Sequence, residues 1–148
     1  MNKTSCAFLI ALLVALPASA APTGELIGHI HKIEGSASIM RDGATVPGVL
    51  GGDLYRGDVV RTGKPGAVGL VLTDDTTVSL GSGSELSLNN YEFAPKEGHF
   101  GLLLQMVKGT FSYVSGQIAK LAPESARIQT PDATIAIRGT KLLIEIKE

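Results

Sequence analysis

Two histidines, His29 and His31, sit two residues apart, the spacing that places both rings on one face of a β-strand and offers a pair of nitrogen ligands to zinc. A metal centre needs more than a pair. The third histidine, His99, is distant in sequence and no pattern brings it near, so an exposed strand face is the stronger reading and no metal is expected. Ser82 and Ser84, in the stretch GSGS, carry hydroxyls but lack the glycine frame of a nucleophile elbow, and no acid or histidine spacing beside them supports a triad. Asp74 and Asp75 are paired carboxylates in name only: neighbours on a turn point apart, and a solvated turn is expected. The stretch GDVVRTGKPG has the glycines and lysine of a phosphate loop, but Pro65 follows Gly63-Lys64 where a hydroxyl is required. Arg56-Gly57-Asp58 spells RGD, with Gly57-Asp58 reading as a turn between strands. No residue set for catalysis, cofactor binding or metal binding emerges.

The elements that would position these residues are strands. In SASIMRDGATV, Ala37 and Ile39 alternate with Ser36 and Ser38, and Asp42-Gly43 offers the positive φ angles of a tight hairpin. Pro47-Gly48 and Gly51-Gly52 exclude a helix between them. Val68, Leu70 and Leu72 share a face, as do Val78 and Leu80, then Leu86 and Leu88; Asp74-Asp75 and Gly81-Ser82-Gly83 punctuate these runs. Val78-Ser79-Leu80 and Leu86-Ser87-Leu88 repeat one pattern, as successive rungs or hairpin arms would. After the polar loop 94–99, Phe100, Leu102, Leu104 and Met106 oppose Leu103, Gln105 and Val107, which predicts a central strand apolar on both faces. Gly109 separates it from a strand carrying Phe111 and Tyr113. The one helix candidate is SGQIAKLAPES, of about two turns at most, with Ser115 as cap and Pro123 as stop.

Near the end, Ile135 and Ile137 are apolar at odd positions, whereas Leu142, Ile144 and Ile146 are apolar at even ones. Because side chains alternate with a period of two, one unbroken strand cannot hold both sets on one face. A slip at Gly139 resolves the conflict, making a bulge or corner. Arg138 then lies at that corner, where its guanidinium would brace the bend against carbonyls or against Asp53, Asp58 or Asp132. Lys141, Glu145 and Lys147 are expected to guard a last strand near a sheet edge.

The chain has 148 residues and one cysteine. Lys3, the apolar run from Ala7 to Leu16 and the small residues of PASA read as a secretory signal peptide over residues 1–20, cut between Ala20 and Ala21. The apolar run is too short for a membrane span. Cleavage removes Cys6, so the mature chain, residues 21–148, is expected to have neither disulfide nor thiol chemistry. Those 128 residues suit a single domain; with 12 Lys+Arg against 14 Asp+Glu they lack the basic face that nucleic acid requires. All 18 glycines fall in the mature part, which points to many short strands and tight turns. No later segment is long and apolar enough to span a membrane, and a periplasmic or secreted location is expected.

The order of GGDLYRGDVVRTGKPGAVGLVLTDDTTVSLGSGSELSL, LLLQMVKGTFSYVSGQIAKLAP and IQTPDATIAIRGT resembles the FecR-type domain, named for the ferric-citrate regulator of Gram-negative bacteria, from about Gly28 to Ile146. The positions carrying the resemblance are Gly57 and Asp58, Thr62 and Gly63 after Arg61, Gly109 after Lys108, Thr130 and Pro131, then Arg138, Gly139 and Thr140. The resemblance implies an all-β domain, solenoid-like or sandwich-like, without enzymatic activity or cofactor, these residues being structural. It further implies an envelope signalling role: full-length sigma-factor regulators of the family carry the domain after a cytoplasmic anti-sigma segment and one transmembrane helix, where this chain has a cleavable signal. The expectation is a periplasmic module with a protein partner, strand addition being the natural docking mode. The alternative is a structural or glycan-binding envelope component. With no Trp, and Tyr91 and Phe93 the only aromatics near a predicted loop, the protein partner is favoured.

Overall fold

The computed structural model describes residues 23–137 and 139–147, and the predicted signal peptide, its cleavage site and Arg138 lie outside them. The strands are β1 (Leu26–Arg41), β2 (Ala44–Pro47), β3 (Asp53–Tyr55), β4 (Val59–Leu72), β5 (Thr77–Leu80), β6 (Glu85–Ala94), β7 (His99–Val114), β8 (Ala126–Gln129), β9 (Thr134–Ala136) and β10 (Lys141–Ile146), with one short helix, α1 (Gln117–Leu121). The class is all-β, as the sequence predicts. All ten strands belong to one hydrogen-bonded sheet.

Three strands are long and the rest fill the lanes between and beside them. β1 pairs with β4; β3 and β2 lie end to end along the outer edge of β1. β5 and the start of β6 lie end to end between β4 and β7. β10 and β8 lie end to end on the far side of β7, and β9 pairs with β8. The two Ser-Leu segments are thus arms of two different hairpins, β4–β5 and β6–β7, and lie end to end as two pieces of one interrupted lane.

This sheet is folded over on itself. Tyr91 pairs with Leu102 and Thr77 pairs with Val114, 12 positions apart along β7. In a flat sheet that separation is roughly 40 Å. Yet the Tyr91 hydroxyl lies 2.8 Å from Thr73 Oγ1, just before β5. Likewise, β9 ends at Ala136 beside Arg127 and Leu103, and β10 begins at Lys141 beside Val114. Five residues span at most about 18 Å, so the two ends of β7 must face each other. The sandwich-like alternative describes this arrangement. One layer holds β3, the first half of β1, the second half of β4, β5, the end of β7 and β10. The other holds the complementary halves with β2, β6, β8 and β9. Between them is a single core in which Ile27, Ile30, Leu70 and Tyr113 of the first layer meet Val60, Leu86, Leu104 and Ile128 of the second.

The crease follows a line of small residues across the lanes. Gly35 of β1 sits opposite Gly66 of β4; the Gly66 amide and carbonyl bond the Ser82 hydroxyl; Ser84 Oγ accepts from the Thr110 amide and donates to its carbonyl. A side chain at Gly63 would land on Ser36 Oγ. At Gly109, φ is +100° and a Cβ would come within 2.6 Å of Ser84 Cα, so both conformation and space require glycine there. β7 nevertheless runs unbroken through it: Glu85 pairs with Lys108 and Leu86 with Met106, leaving Val107 as an extra residue. That bulge moves the buried positions from Leu102, Leu104 and Met106 to Phe111 and Tyr113.

Several local expectations change. β7 is central in its pairing, but only one face is buried; Leu103 and Gln105 are half-exposed and Val107 is exposed. Gly116, not Ser115, occupies the N-cap of α1, without a side-chain cap bond, because Ser115 Oγ donates to the Gly139 carbonyl instead. The parity conflict between Ile135 and Leu142 resolves as a corner: the chain leaves one layer after β9 and joins the other as β10, with Gly139 at φ +86° between them.

Candidate interaction surface

The groups with chemical potential converge on the open end of the sandwich, opposite the crease, where two buried carboxylates tie the layers together. Asp58, 1% exposed, accepts Arg41 Nε at 2.9 Å and Nη2 at 2.7 Å, plus the Tyr55 amide at 2.9 Å. Arg41 also donates to the Asp53 carbonyl at 2.9 Å, and its guanidinium lies 4.6 Å from the centre of the Tyr55 ring. The hydrogen bond to Asp58 holds the Arg41 pKa above its ordinary value. Arg41 closes β1 in one layer while Asp53 and Tyr55 belong to β3 in the other, so this bidentate pair spans the opening. Of the three acids considered for Arg138, Asp58 therefore has Arg41 as its partner.

The second carboxylate corrects the expectation of a solvated turn. Asp75 is exposed, but Asp74 is 0% exposed. Its Oδ1 accepts the Thr76 amide at 3.2 Å and the Tyr91 hydroxyl at 3.1 Å; its Oδ2 accepts the Thr76 hydroxyl at 2.7 Å and the Ile118 amide at 3.1 Å. Its own amide donates to the Tyr91 oxygen at 2.9 Å, and its carbonyl accepts from Gln117 at 2.7 Å. With the Tyr91 proton on Asp74, Thr73 is left as donor in the remaining bond to Tyr91. Burial pushes the Tyr91 phenol well above its ordinary pKa, and raises that of Tyr113 in the core. Tyr91 is consequently no exposed platform. Gly116 lets α1 approach this turn, since a Cβ there would lie 2.5 Å from the Asp74 carbonyl oxygen. Sequence reasoning missed Arg41, Asp74 and Tyr91 because the pairs Arg41–Asp58, Asp74–Tyr91 and Asp74–Ile118 join residues 17 or more positions apart.

The other motif positions lie on bends. Gly57 occupies the turn before β4 and donates its amide to Leu88 at 3.0 Å. Thr62 Oγ1 donates to the Gly81 carbonyl at 2.6 Å and accepts the Ser84 amide at 2.8 Å, bridging the interruption between β5 and β6 beside Gly63 and Gly109. Thr130 closes the β8–β9 turn over Pro131 by exchanging bonds with Ala133. Gly139 and Thr140 accept at their carbonyls from Ser115. Ser82 and Ser84 serve the crease. His31 is the extra residue of a bulge in β1 and His29 lies just before it; both are exposed, the His31 ring lying against Gly69. Among the described residues no group of three or more His, Cys, Asp or Glu could hold a metal.

Two external features remain. An open groove of about 440 Å³ is lined by Arg56, Asn89, Glu92, Leu103, Glu124 and Arg127 among others. Beside it an amide ladder crosses three strands, from Asn89 to Gln105 at 3.0 Å and from Gln105 to Gln129 at 3.1 Å. The second feature is the edge strand β10, which among the described residues pairs only with β7. Leu142, Ile144 and Ile146 are half-buried against the core, and Leu143 is 76% exposed on the outer face.

One protein-family model, described as FecR protein, matches residues 58–148. No curated protein and no solved structure matches the chain. Among the described residues no helix is long and apolar enough to cross a membrane.

Proposed function

The chain belongs to the FecR protein family, and we propose that it is a non-enzymatic module of the cell envelope, exported by its signal peptide to the periplasm as a single domain and acting by protein–protein contact in signalling. The observation that carries this reading is the division of labour between inside and outside. Asp58, Asp74, Thr62 and Ser84 are buried with their polar atoms engaged in holding the sheet folded, while the outer surface presents an edge strand with Leu143 exposed between Lys141 and Glu145. Carboxylates so enclosed are out of reach of a substrate, whereas a sheet edge is a template for another chain. The motif residues Gly57, Asp58, Thr62, Gly63, Gly109, Thr130, Pro131, Gly139 and Thr140 then serve the fold rather than the contact. Among the described residues no Tyr or Phe is exposed, half-buried Phe100 being the one Phe that lines the groove, which favours a protein over a sugar partner, since sugars are commonly held against a bare ring face.

Photo-crosslinking side chains placed at Leu143 and at Asn89 test this in living cells. Covalent adducts with another envelope protein are expected from at least one position. Absence of any such adduct from both overturns the reading, and glycan adducts from Asn89 replace it with glycan binding in the groove.

A further inference from the structure

We propose that β10 is a self-recognition strand, through which two copies of this chain join edge to edge in antiparallel register about a two-fold axis at Leu143. The inference rests on the interaction reading in taking the sheet edge as the contact, and it names the partner as a second copy.

The backbone sets the first constraint. The Ser115 amide donates to the Thr140 carbonyl at 2.9 Å, so Thr140 turns its polar groups toward the β7 side. Backbone direction alternates along a strand. With Leu142, Ile144 and Ile146 opposite Tyr113, Phe111 and Gly109, those residues also bond inward. Lys141, Leu143 and Glu145 therefore present their N–H and C=O groups to the open edge. Such a row of unpaired groups on an exposed edge is a template for another strand.

Side chains set the second. Residues directly opposite across an antiparallel pair share a face. Centring the two-fold on Leu143 places Lys141 opposite Glu145 of the second copy, and Glu145 opposite its Lys141, on the outer face where both are exposed. Leu143 meets Leu143 between these two ion pairs. On the inner face Leu142 meets Ile144, extending the apolar row that β10 leaves half-covered. The same three pairs align all the free edge groups for backbone bonding. Moving the axis to Ile144 keeps the backbone bonds but sets Lys141 against Lys147 and Leu143 against Glu145, so charge selects the first register. The layer containing β10 then runs as one continuous sheet through both copies. A contact of this size gives a reversible dimer, roughly micromolar or weaker.

Sedimentation of the purified protein across a wide concentration range tests the assembly. A concentration-dependent dimer is expected. Leu143→Pro removes an N–H that faces the open edge and leaves the β7 ladder intact, so it should abolish the dimer while the melting temperature of the dilute protein stays unchanged. Lys141→Glu should weaken association roughly tenfold through two lost and reversed pairs. Adding Glu145→Lys to that variant should restore it. Leu143→Cys should form a disulfide-linked dimer under mild oxidation, because residues opposed as a hydrogen-bonded pair have Cα atoms about 5.5 Å apart; the parent protein is the blank. A protein that stays monomeric throughout, or a charge swap that fails to restore association, overturns the proposal. A monomer that still yields adducts with a different envelope protein overturns only the self-pairing, whereas a dimer with no such adducts overturns only the signalling contact.

Discussion

The two ends of the folded sheet solve the same geometric problem with opposite chemistry. At the crease, strands must bend sharply within hydrogen-bonding distance of their neighbours, and the solution is to remove side chains: Gly35, Gly63, Gly66 and Gly109 leave room, while Ser82, Ser84 and Thr62 supply short hydroxyls that bond backbone groups freed by the bend. At the open end the layers diverge and backbone pairing stops, and the solution is to add charge: Asp58 gathers Arg41 and the Tyr55 amide, and Asp74 gathers Tyr91 and Thr76, donors from both layers. Crease residues act over a few ångströms through sterics, whereas the carboxylates act through desolvated hydrogen bonds whose loss leaves several partners unsatisfied. The opening should therefore be the more sensitive end to a single side-chain deletion.

Asp74→Ala has the largest expected effect. It strands the Thr76 amide and hydroxyl, the Tyr91 hydroxyl and the Ile118 amide, and should destabilise by about 4 kcal/mol in urea unfolding. A loss below that of any crease variant would reverse the ranking. Gly109→Ala tests the crease: left-handed backbone and a close approach to Ser84 together should cost about 3 kcal/mol in the same assay.

Tyr91→Phe separates the polar from the apolar part of the opening. Keeping the ring and removing the hydroxyl should cost about 1.5 kcal/mol, and the variant should also differ in its response to alkali. Because burial raises the phenol's pKa in the folded chain, the unfolded chain loses that proton first, at its ordinary value of about 10. The stabilisation is whole below that pH and is lost as pH rises past it toward the folded value. Parent stability should fall above about pH 10 more steeply than that of Tyr91→Phe; equal slopes in urea titrations at several pH values would contradict this. Gln105→Ala is the smallest effect and the control. Its amide ladder lies on the outer face away from both ends, and its removal should change stability by less than about 0.5 kcal/mol.

Legibility in the sequence follows the same divide. The Asp42-Gly43 hairpin, the alternation of Val68, Leu70 and Leu72, and the break at Gly139 are local: turn stereochemistry and a period of two depend only on neighbouring residues, and each is found where the pattern places it. Gly63 and Gly109 are legible as motif positions, but the line they share with Gly35, Gly66 and Ser84 is not, since that alignment depends on register between strands far apart in the chain. Asp74 was misread for a related reason. Beside Asp75 on a turn it has the local signature of a solvated residue, and only Tyr91 and α1, brought over it by the folded sheet, bury it.

By itself, then, the sequence determined the strand-forming segments, most of their turns and their inward faces, because backbone sterics and side-chain alternation are properties of short stretches. The tertiary structure alone decided that one sheet doubles back at a crease, that Asp58 and Asp74 close the opposite end, and that β10 has, among the described residues, one unpaired edge. Each of these depends on which distant strands meet, and that is settled by the burial of one shared core rather than by any local preference.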